Sequence, residues 1–152
     1  MENYEINSST LAIVPLGDDV SKIYEEEDEY IVQKSSNSII KYNCEFYGSS
    51  YEGRCIGTKS LTGIKTKYPI IIEESRNIIF FPTTSTRTQQ SSWIALNKIK
   101  NYKKLNTKSK IQFKNESNLN LNISFYSLEN QICRATMLKS KLYERKLEEI
   151  DK

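Results

Sequence analysis

The fold class is decided by residues 110–142, which read KIQFKNESNLNLNISFYSLENQICRATMLKSKL. Up to Ile123 apolar residues alternate with charged residues or asparagines, which is typical of β-strands with one dry face. The polar residues 114–118 interrupt this alternation, so we predict a hairpin. After Ser127 the period becomes helical, and one apolar stripe contains Leu128, Ile132, Ala135, Leu138 and Leu142. These residues predict a terminal helix over residues 127–148 with Ser127 as its N-cap.

Similar short apolar runs precede this region. They have the lengths and the Ile, Val, Tyr and Phe content of β-strands. The runs are residues 10–14, 30–33, 38–42, 69–72, 77–81 and 93–99. Residues 49–61 instead predict a short helix that begins at a serine cap, and its Gly53 and Gly57 suggest close approach of another backbone.

These patterns predict one domain over residues 1–152, since neither a repeat period nor a Pro/Gly/Ser-rich linker divides the chain. The expected class is α+β. We predict a mainly antiparallel sheet of about seven or eight strands, one short inserted helix and the C-terminal helix.

The composition argues against catalysis. The chain of 152 residues contains no histidine, so the commonest general base and metal ligand is missing. Its cysteines, Cys44, Cys55 and Cys133, are widely separated, which predicts reduced, structural thiols and no zinc site. We therefore expect no enzyme, no metal and no cofactor. Because no apolar run approaches about 20 residues and the N-terminus lacks a secretory pattern, we expect a cytoplasmic, nucleoid-associated protein without membrane contact.

Charge is segregated along the chain, although the net charge is only +3. Residues 1–74 hold 13 acidic and 7 basic side chains, whereas residues 75–115, the basic stretch, hold 9 basic and none acidic. Such one-sign density attracts polyanions, and neutralisation of phosphates by Lys and Arg provides most sequence-independent affinity for nucleic acids. The alternative is a solvated lysine-rich face that reflects codon bias. That bias does not explain the missing glutamates, since Glu is frequent at residues 25–29.

The acidic run at residues 25–29 lies between two apolar segments, so we expect it at the tip of a hairpin. It is either a solvated turn or a mimic of DNA that covers the basic residues in the free protein.

A polar loop within the basic stretch is the candidate site. Residues 83–92 contain four Thr, three Ser, two Gln and Arg87, and they end at Trp93. Hydroxyls and amides donate to phosphate or sugar oxygens, and an arginine can enter a narrow minor groove. The alternative is a surface loop without a ligand. The candidate DNA-binding residues are Ser85, Thr86, Arg87, Arg76, Lys98, Lys100, Lys103, Lys104, Lys108 and Lys110.

Further candidates lie at the start of the inserted helix. Ser49, Ser50 and Arg54 are candidate phosphate contacts, because free backbone amides at a helix N-terminus attract anions. The glycines of this segment lack the spacing of nucleotide-binding loops, so nucleotide binding is not expected.

Three ordered blocks are CEFYGSSYEGR at 44–54 with Gly57-Thr58, FFPTTSTR at 80–87 with Trp93-Ile94, and ISFYSLENQ at 123–131 with Arg134 and Leu138. Together they resemble the ComK family of competence transcription factors from Gram-positive bacteria, over about residues 4–145. The resemblance implies an activator of DNA-uptake genes that recognises AT-rich double-stranded DNA through the minor groove. It also implies self-association as a dimer or paired dimers, with RNA polymerase and a proteolytic adaptor as further partners.

Two features depart from the family pattern. A proline follows the arginine of the second block in that pattern, whereas this chain has Thr88. Longer members continue beyond the terminal helix into a tail that the adaptor uses, whereas this sequence ends at Lys152. The alternative function is therefore a non-activating short paralogue, or a protein-interaction module that modulates a full-length relative. We assign Leu128, Ile132, Leu138 and Leu142 to the core or to an oligomer interface, not to DNA contact.

Overall fold

Nine antiparallel strands form two sheets in the computed structural model, which describes residues 1–87 and 89–151. Thr88, where the chain departs from the family pattern, lies outside the described residues. The strands are β1 (Thr10–Gly17), β2 (Val20–Glu25), β3 (Glu29–Val32), β4 (Ile70–Glu73), β5 (Ile78–Pro82), β6 (Trp93–Ala95), β7 (Ile99–Leu105), β8 (Lys108–Phe113) and β9 (Asn118–Leu121). The α-helices are α1 (Ser36–Phe46), α2 (Tyr51–Thr62) and α3 (Phe125–Ile150).

The six-stranded sheet has the order β3-β2-β1-β6-β5-β4 and is buried on both faces. Because side chains alternate along a strand, the adjacent Phe80 and Phe81 enter different cores. Phe80 and Trp93 pack under α1 and α2, while Phe81 and Ile94 pack against α3 and the three-stranded sheet β7-β8-β9. The predicted α+β class, with mainly antiparallel strands and a C-terminal helix, is confirmed.

The prediction of a strand over residues 38–42 is wrong, because this run lies in α1. Ser35 caps the helix by accepting a hydrogen bond from the amide of Ser38, and Ile39, Ile40 and Cys44 are buried at helical spacing. A short apolar run does not distinguish a buried strand from a buried helix by its period. Two helices therefore precede β4, rather than the one inserted helix that we predicted.

Helix α2 is the predicted inserted helix, and Ser50 is its N-cap. A Cβ on Gly53 would lie 3.0 Å from the Ser50 hydroxyl, so this glycine leaves room for the cap. A Cβ on Gly57 would meet nothing within 4 Å. The prediction that another backbone approaches these two glycines is therefore wrong.

Helix α3 begins at Phe125, two residues before the predicted range. Its N-cap is Ser124, three residues before the predicted Ser127, and it accepts a hydrogen bond from the Ser127 amide. Both serines suit the position by type, and helix ends are the least certain part of a sequence-based prediction. Leu128, Leu138 and Leu142 are buried, and Ile132 is partly buried against the same core. Among the described residues, no helix combines the length and the apolar character needed to cross a membrane.

Candidate nucleic-acid interface

The polar loop (residues 83–92) connects β5 to β6 and is closed at its base by its own hydrogen bonds. The amide of Thr83 donates to the carbonyl of Ser92 at 2.9 Å, and the amide of Thr84 donates to the hydroxyl of Ser91 at 2.9 Å. Both Thr83 and Ser91 are buried. The base of the loop therefore continues the pairing of β5 with β6, and this fixes where the polar segment leaves the sheet.

The N-terminus of α1 holds the far side of this loop. The side-chain amide of Asn37 donates to the carbonyls of Thr86 at 3.4 Å and Gln89 at 3.3 Å. Its oxygen accepts from the indole of Trp93 at 2.9 Å. Asn37 therefore links the loop to the buried aromatic residue at its end.

Helix α2 contributes Tyr51, which contacts both the loop and Trp93. Its hydroxyl shares a hydrogen bond with the Thr86 hydroxyl at 3.3 Å, and its ring packs edge-on against Trp93 with ring centroids 6.5 Å apart. Burial raises the pKa of Tyr51 to about 12, so at neutral pH this side chain is an uncharged phenol.

A cavity of about 200 Å³ lies beside the loop and brings together Ser85, Thr86 and Arg87. Two lysines from the segment between α2 and β4, Lys65 and Lys67, line it as well, and no carboxylate does. The sequence reasoning missed these lysines, because they belong to the part of the chain where acidic residues prevail. Only the spacing Lys-Thr-Lys next to Tyr68-Pro69 could have drawn attention to them.

Helix α3 holds that lysine segment against the loop. The buried Gln131 donates from one nitrogen to the carbonyls of Pro82 at 2.8 Å and Lys67 at 3.1 Å. Arg134 donates to the carbonyl of Thr66 at 3.0 Å. The three sequence blocks therefore meet here: the first through Tyr51, the second through the loop and the third through Gln131 and Arg134.

The second basic element is the lysine hairpin, formed by β7 and β8. Lys103 lies opposite Lys110, and Leu105 opposite Lys108. Since Ser109, Ile111 and Phe113 of β8 are buried, the lysines of this strand lie on the opposite, outer face. Lys104 is exposed near the tip of the hairpin.

The lysine hairpin and the polar loop gather around the N-terminal end of α3. Tyr102 of β7 stacks on Phe125, the first helical residue, with ring centroids 5.6 Å apart. Gln131, which donates to the carbonyl of Pro82 immediately before the loop, follows about 9 Å further along the helix axis, given 1.5 Å per residue. Both basic elements thus border the N-terminal part of α3.

Three other candidate residues carry carboxylate partners instead. Arg76 pairs with Glu73 at 3.3 Å, Lys98 with Glu26, and Lys100 with Glu116 at 2.6 Å. All three carboxylates come from outside the basic stretch. Counting the charges within residues 75–115 therefore could not predict these ion pairs. The acidic run lies at the β2–β3 hairpin as expected, and its Glu26 reaches the first lysine that follows β6.

The candidate phosphate contacts at the start of α2 make other contacts within the protein. The Ser50 hydroxyl is used by the helix cap, and the Ser49 amide donates to the carbonyl of Cys44. Arg54 lines a different cavity, of about 500 Å³, together with Glu73 and Glu74. Its buried Nε has no hydrogen-bond partner among the described residues.

Comparison with known proteins shows which family this chain resembles. The family model described as "ComK protein" matches residues 1–147. The "Competence transcription factor" of Bacillus subtilis (strain 168) is 36% identical over 149 residues, which cover 95% of this chain and 78% of that protein. No solved structure gives a significant match.

Proposed function

Because the chain belongs to the ComK family, a family of transcription factors rather than enzymes, we propose that it binds double-stranded DNA and activates the genes of DNA uptake. The prediction that the protein is not an enzyme is confirmed by this membership. The observation that carries the proposal is that the polar loop and the lysine hairpin both border the N-terminal part of α3.

The polar loop is the element that we propose to read the sequence. Arg87 is exposed, and Ser85 and Thr86 lie beside it with hydroxyls suited to sugar and phosphate oxygens. An arginine inserted into the minor groove gains most where the groove is narrow, as in AT-rich tracts, since the negative potential is deepest there. The loop would therefore favour AT-rich DNA without base-specific hydrogen bonds in the major groove.

Helices α1 and α2 follow each other closely, as the helices of a helix-turn-helix do, but their surface does not favour major-groove reading. Both pack on the six-stranded sheet, and the exposed side of α2 includes Glu52, Ile56 and Lys59. A recognition helix normally presents cations and amides to the bases. This contrast supports the loop as the reading element.

The lysine hairpin is the element that we propose to contact the phosphates. Its outer face presents Lys103, Lys108 and Lys110, and none of these takes part in an ion pair among the described residues. Lysines on flexible stems neutralise phosphates without reading bases. This part of the interface would therefore provide affinity on any duplex.

Fluorescence anisotropy with AT-rich and GC-rich duplexes, titrated over a range of salt concentrations, tests the proposal. The logarithm of the binding constant should fall with the logarithm of salt concentration with a slope of roughly −3 to −5 per protomer, as expected for a few neutralised phosphates. The AT-rich duplex should bind more tightly at every salt concentration. A slope near zero would contradict DNA binding.

Self-association and transcriptional activation are separate parts of the proposal. We expect a dimer or paired dimers on DNA, which the mass of the complex in analytical ultracentrifugation would establish. In transcription with purified RNA polymerase, the protein should raise the yield from an AT-box promoter. Binding without any such rise would identify a non-activating paralogue. Degradation through a proteolytic adaptor remains a prediction to be tested with the purified protease.

A further inference from the structure

Two basic depressions of the surface lie on either side of Thr86 in the polar loop. The first depression is the cavity of about 200 Å³ beside Lys65, Lys67 and Arg87. The second depression measures about 250 Å³ and lies against the N-terminal half of α1, where it includes Asn37, Lys41 and Gln90. Tyr51 and Thr86 line both depressions, so their hydrogen bond of 3.3 Å forms the ridge between them.

Both depressions are suited to anions. Among the residues that the structure describes, no Asp or Glu lines either of them. Lys41, Lys65 and Lys67 take part in no ion pair within residues 1–87 and 89–151. In addition to these lysines, hydroxyl and phenol groups line both cavities, and such groups donate hydrogen bonds to phosphate oxygens.

We propose that the two depressions hold the phosphates of the two DNA strands that border the minor groove. Lys65 and Lys67 would contact one strand and Lys41 the other, while Arg87 enters the groove between them. This inference rests on the proposed function. Because the minor groove is only about 6 Å wide, any loop that enters it has a phosphate backbone on each side. A loop flanked by a cationic depression on each side matches that arrangement.

The fold keeps the first depression in place before DNA arrives. Lys67 has a left-handed backbone conformation with φ of 49°, which is unfavourable for a residue with a Cβ. The hydrogen bond from the buried Gln131 to its carbonyl, and that from Arg134 to the neighbouring Thr66, hold this conformation. Gln131 and Arg134 are therefore positioning residues. A site ordered in advance loses less conformational entropy on binding.

Charge-neutral variants test this assignment. We compare Lys65→Gln/Lys67→Gln and the single Lys41→Gln with the control Lys114→Gln/Lys141→Gln. The control lysines are exposed and line neither depression. Relative to the control, Lys65→Gln/Lys67→Gln should bind AT-rich and GC-rich duplexes roughly tenfold more weakly, with a salt slope shallower by about 1 to 2. Thermal unfolding of every variant should match the wild type, since the changed side chains are not part of the core.

Duplexes with single neutral methylphosphonate linkages identify the strand that each lysine contacts. The wild type should lose affinity when a linkage on either side of the AT tract is neutral. Lys65→Gln/Lys67→Gln should lose this sensitivity on one strand of each half-site, and Lys41→Gln should lose it on the opposite strand. If both variants lose sensitivity on the same strand, the arrangement on two sides of the groove is wrong.

The outcomes separate this inference from the function on which it rests. A wild type without salt-dependent DNA binding would overturn both. A wild type that binds AT-rich DNA, with depression variants that behave like the control, would overturn only the assignment of the depressions.

Discussion

The polar loop and the lysine hairpin are both basic, but they are built in different ways. The loop depends on partners far away in sequence, since Thr86 bonds to Asn37 and Tyr51, and Gln131 donates to Pro82 immediately before the loop. The hairpin is local, since β7 and β8 pair across a turn that follows Leu105. Helices α1 and α2 hydrogen-bond to the loop, whereas the outer face of the hairpin is open to solvent.

This difference predicts a division of labour. A rigid loop can discriminate between groove shapes, because a misfit cannot be relieved by movement of the backbone. Lysines on an open hairpin adapt to any phosphate backbone and so provide affinity without preference. Four substitutions, from the largest expected effect to the smallest, test whether the two regions differ in this way.

Leu138→Asp should remove both regions at once. Leu138 is fully buried in the core that joins α3 to both sheets, and a buried unpaired carboxylate should destabilise the fold by more than about 4 kcal/mol. Circular dichroism should show unfolding, and DNA binding should be lost. The adjacent Met137→Asp is the control, because Met137 is 38% exposed. A Leu138→Asp protein that keeps the fold and mass of the wild type but does not bind DNA would place α3 at the DNA.

Gln131→Leu should damage the loop and spare the hairpin. The substitution leaves the carbonyls of Pro82 and Lys67 without their donor, which should lower the free energy of unfolding by about 2–4 kcal/mol. Chemical denaturation measures this loss. The preference for AT-rich over GC-rich duplex should decrease, while binding to GC-rich duplex is retained. Asn130→Leu, at an exposed amide in the same helix, should change neither quantity. Equal weakening on both duplexes would contradict the division.

Arg87→Ala should affect recognition without affecting stability. Arg87 is exposed, so the unfolding midpoint should not change. Binding to the AT-rich duplex should weaken by about 1–3 kcal/mol, as for an arginine that reads a groove, with a smaller loss on GC-rich DNA. Arg76→Ala is the matched control, because its guanidinium is paired with Glu73. If the Arg87 variant weakens binding to both duplexes equally, Arg87 is only another phosphate contact.

Lys103→Ala should have the smallest effect and no sequence preference. Loss of one phosphate contact makes the salt slope shallower by about 0.9 on either duplex. Lys100 lies on the same strand, but its charge is balanced by Glu116 at 2.6 Å, so Lys100→Ala should change the slope less. Titrations of both variants on AT-rich and GC-rich duplexes make the comparison. A selective loss on AT-rich DNA would show that the hairpin also reads sequence.

Local patterns were predicted well where one periodicity was sufficient. The runs at residues 110–114 and 119–125 predicted the β8–β9 hairpin, although β9 ends at Leu121 and Phe125 already belongs to α3. The apolar stripe predicted α3 with a start that was two residues late. The single strand predicted over residues 93–99 is wrong, because a 3-10 turn at Leu96–Lys98 separates β6 from β7. Strand β7 was missed beyond Ile99, because its lysines hide the alternation. It is a strand since Tyr102 pairs opposite Ile111 and packs on the core. The run at residues 38–42 was assigned to a strand, because buried helix and buried strand look alike over so few residues.

The α+β class, the family, the basic character of residues 75–115 and the terminal helix could all be deduced from the amino-acid sequence. These properties depend on neighbours within a few positions, or on the identity of short motifs, and both are visible along a chain. The tertiary structure was needed to show which Lys and Arg side chains, among the residues it describes, lack a carboxylate partner and can therefore bind phosphates. It placed Glu26, Glu73 and Glu116 on three predicted contacts and brought Lys65 and Lys67 to the polar loop. Electrostatic interactions depend on distance in space, and packing brings together residues that are far apart in sequence.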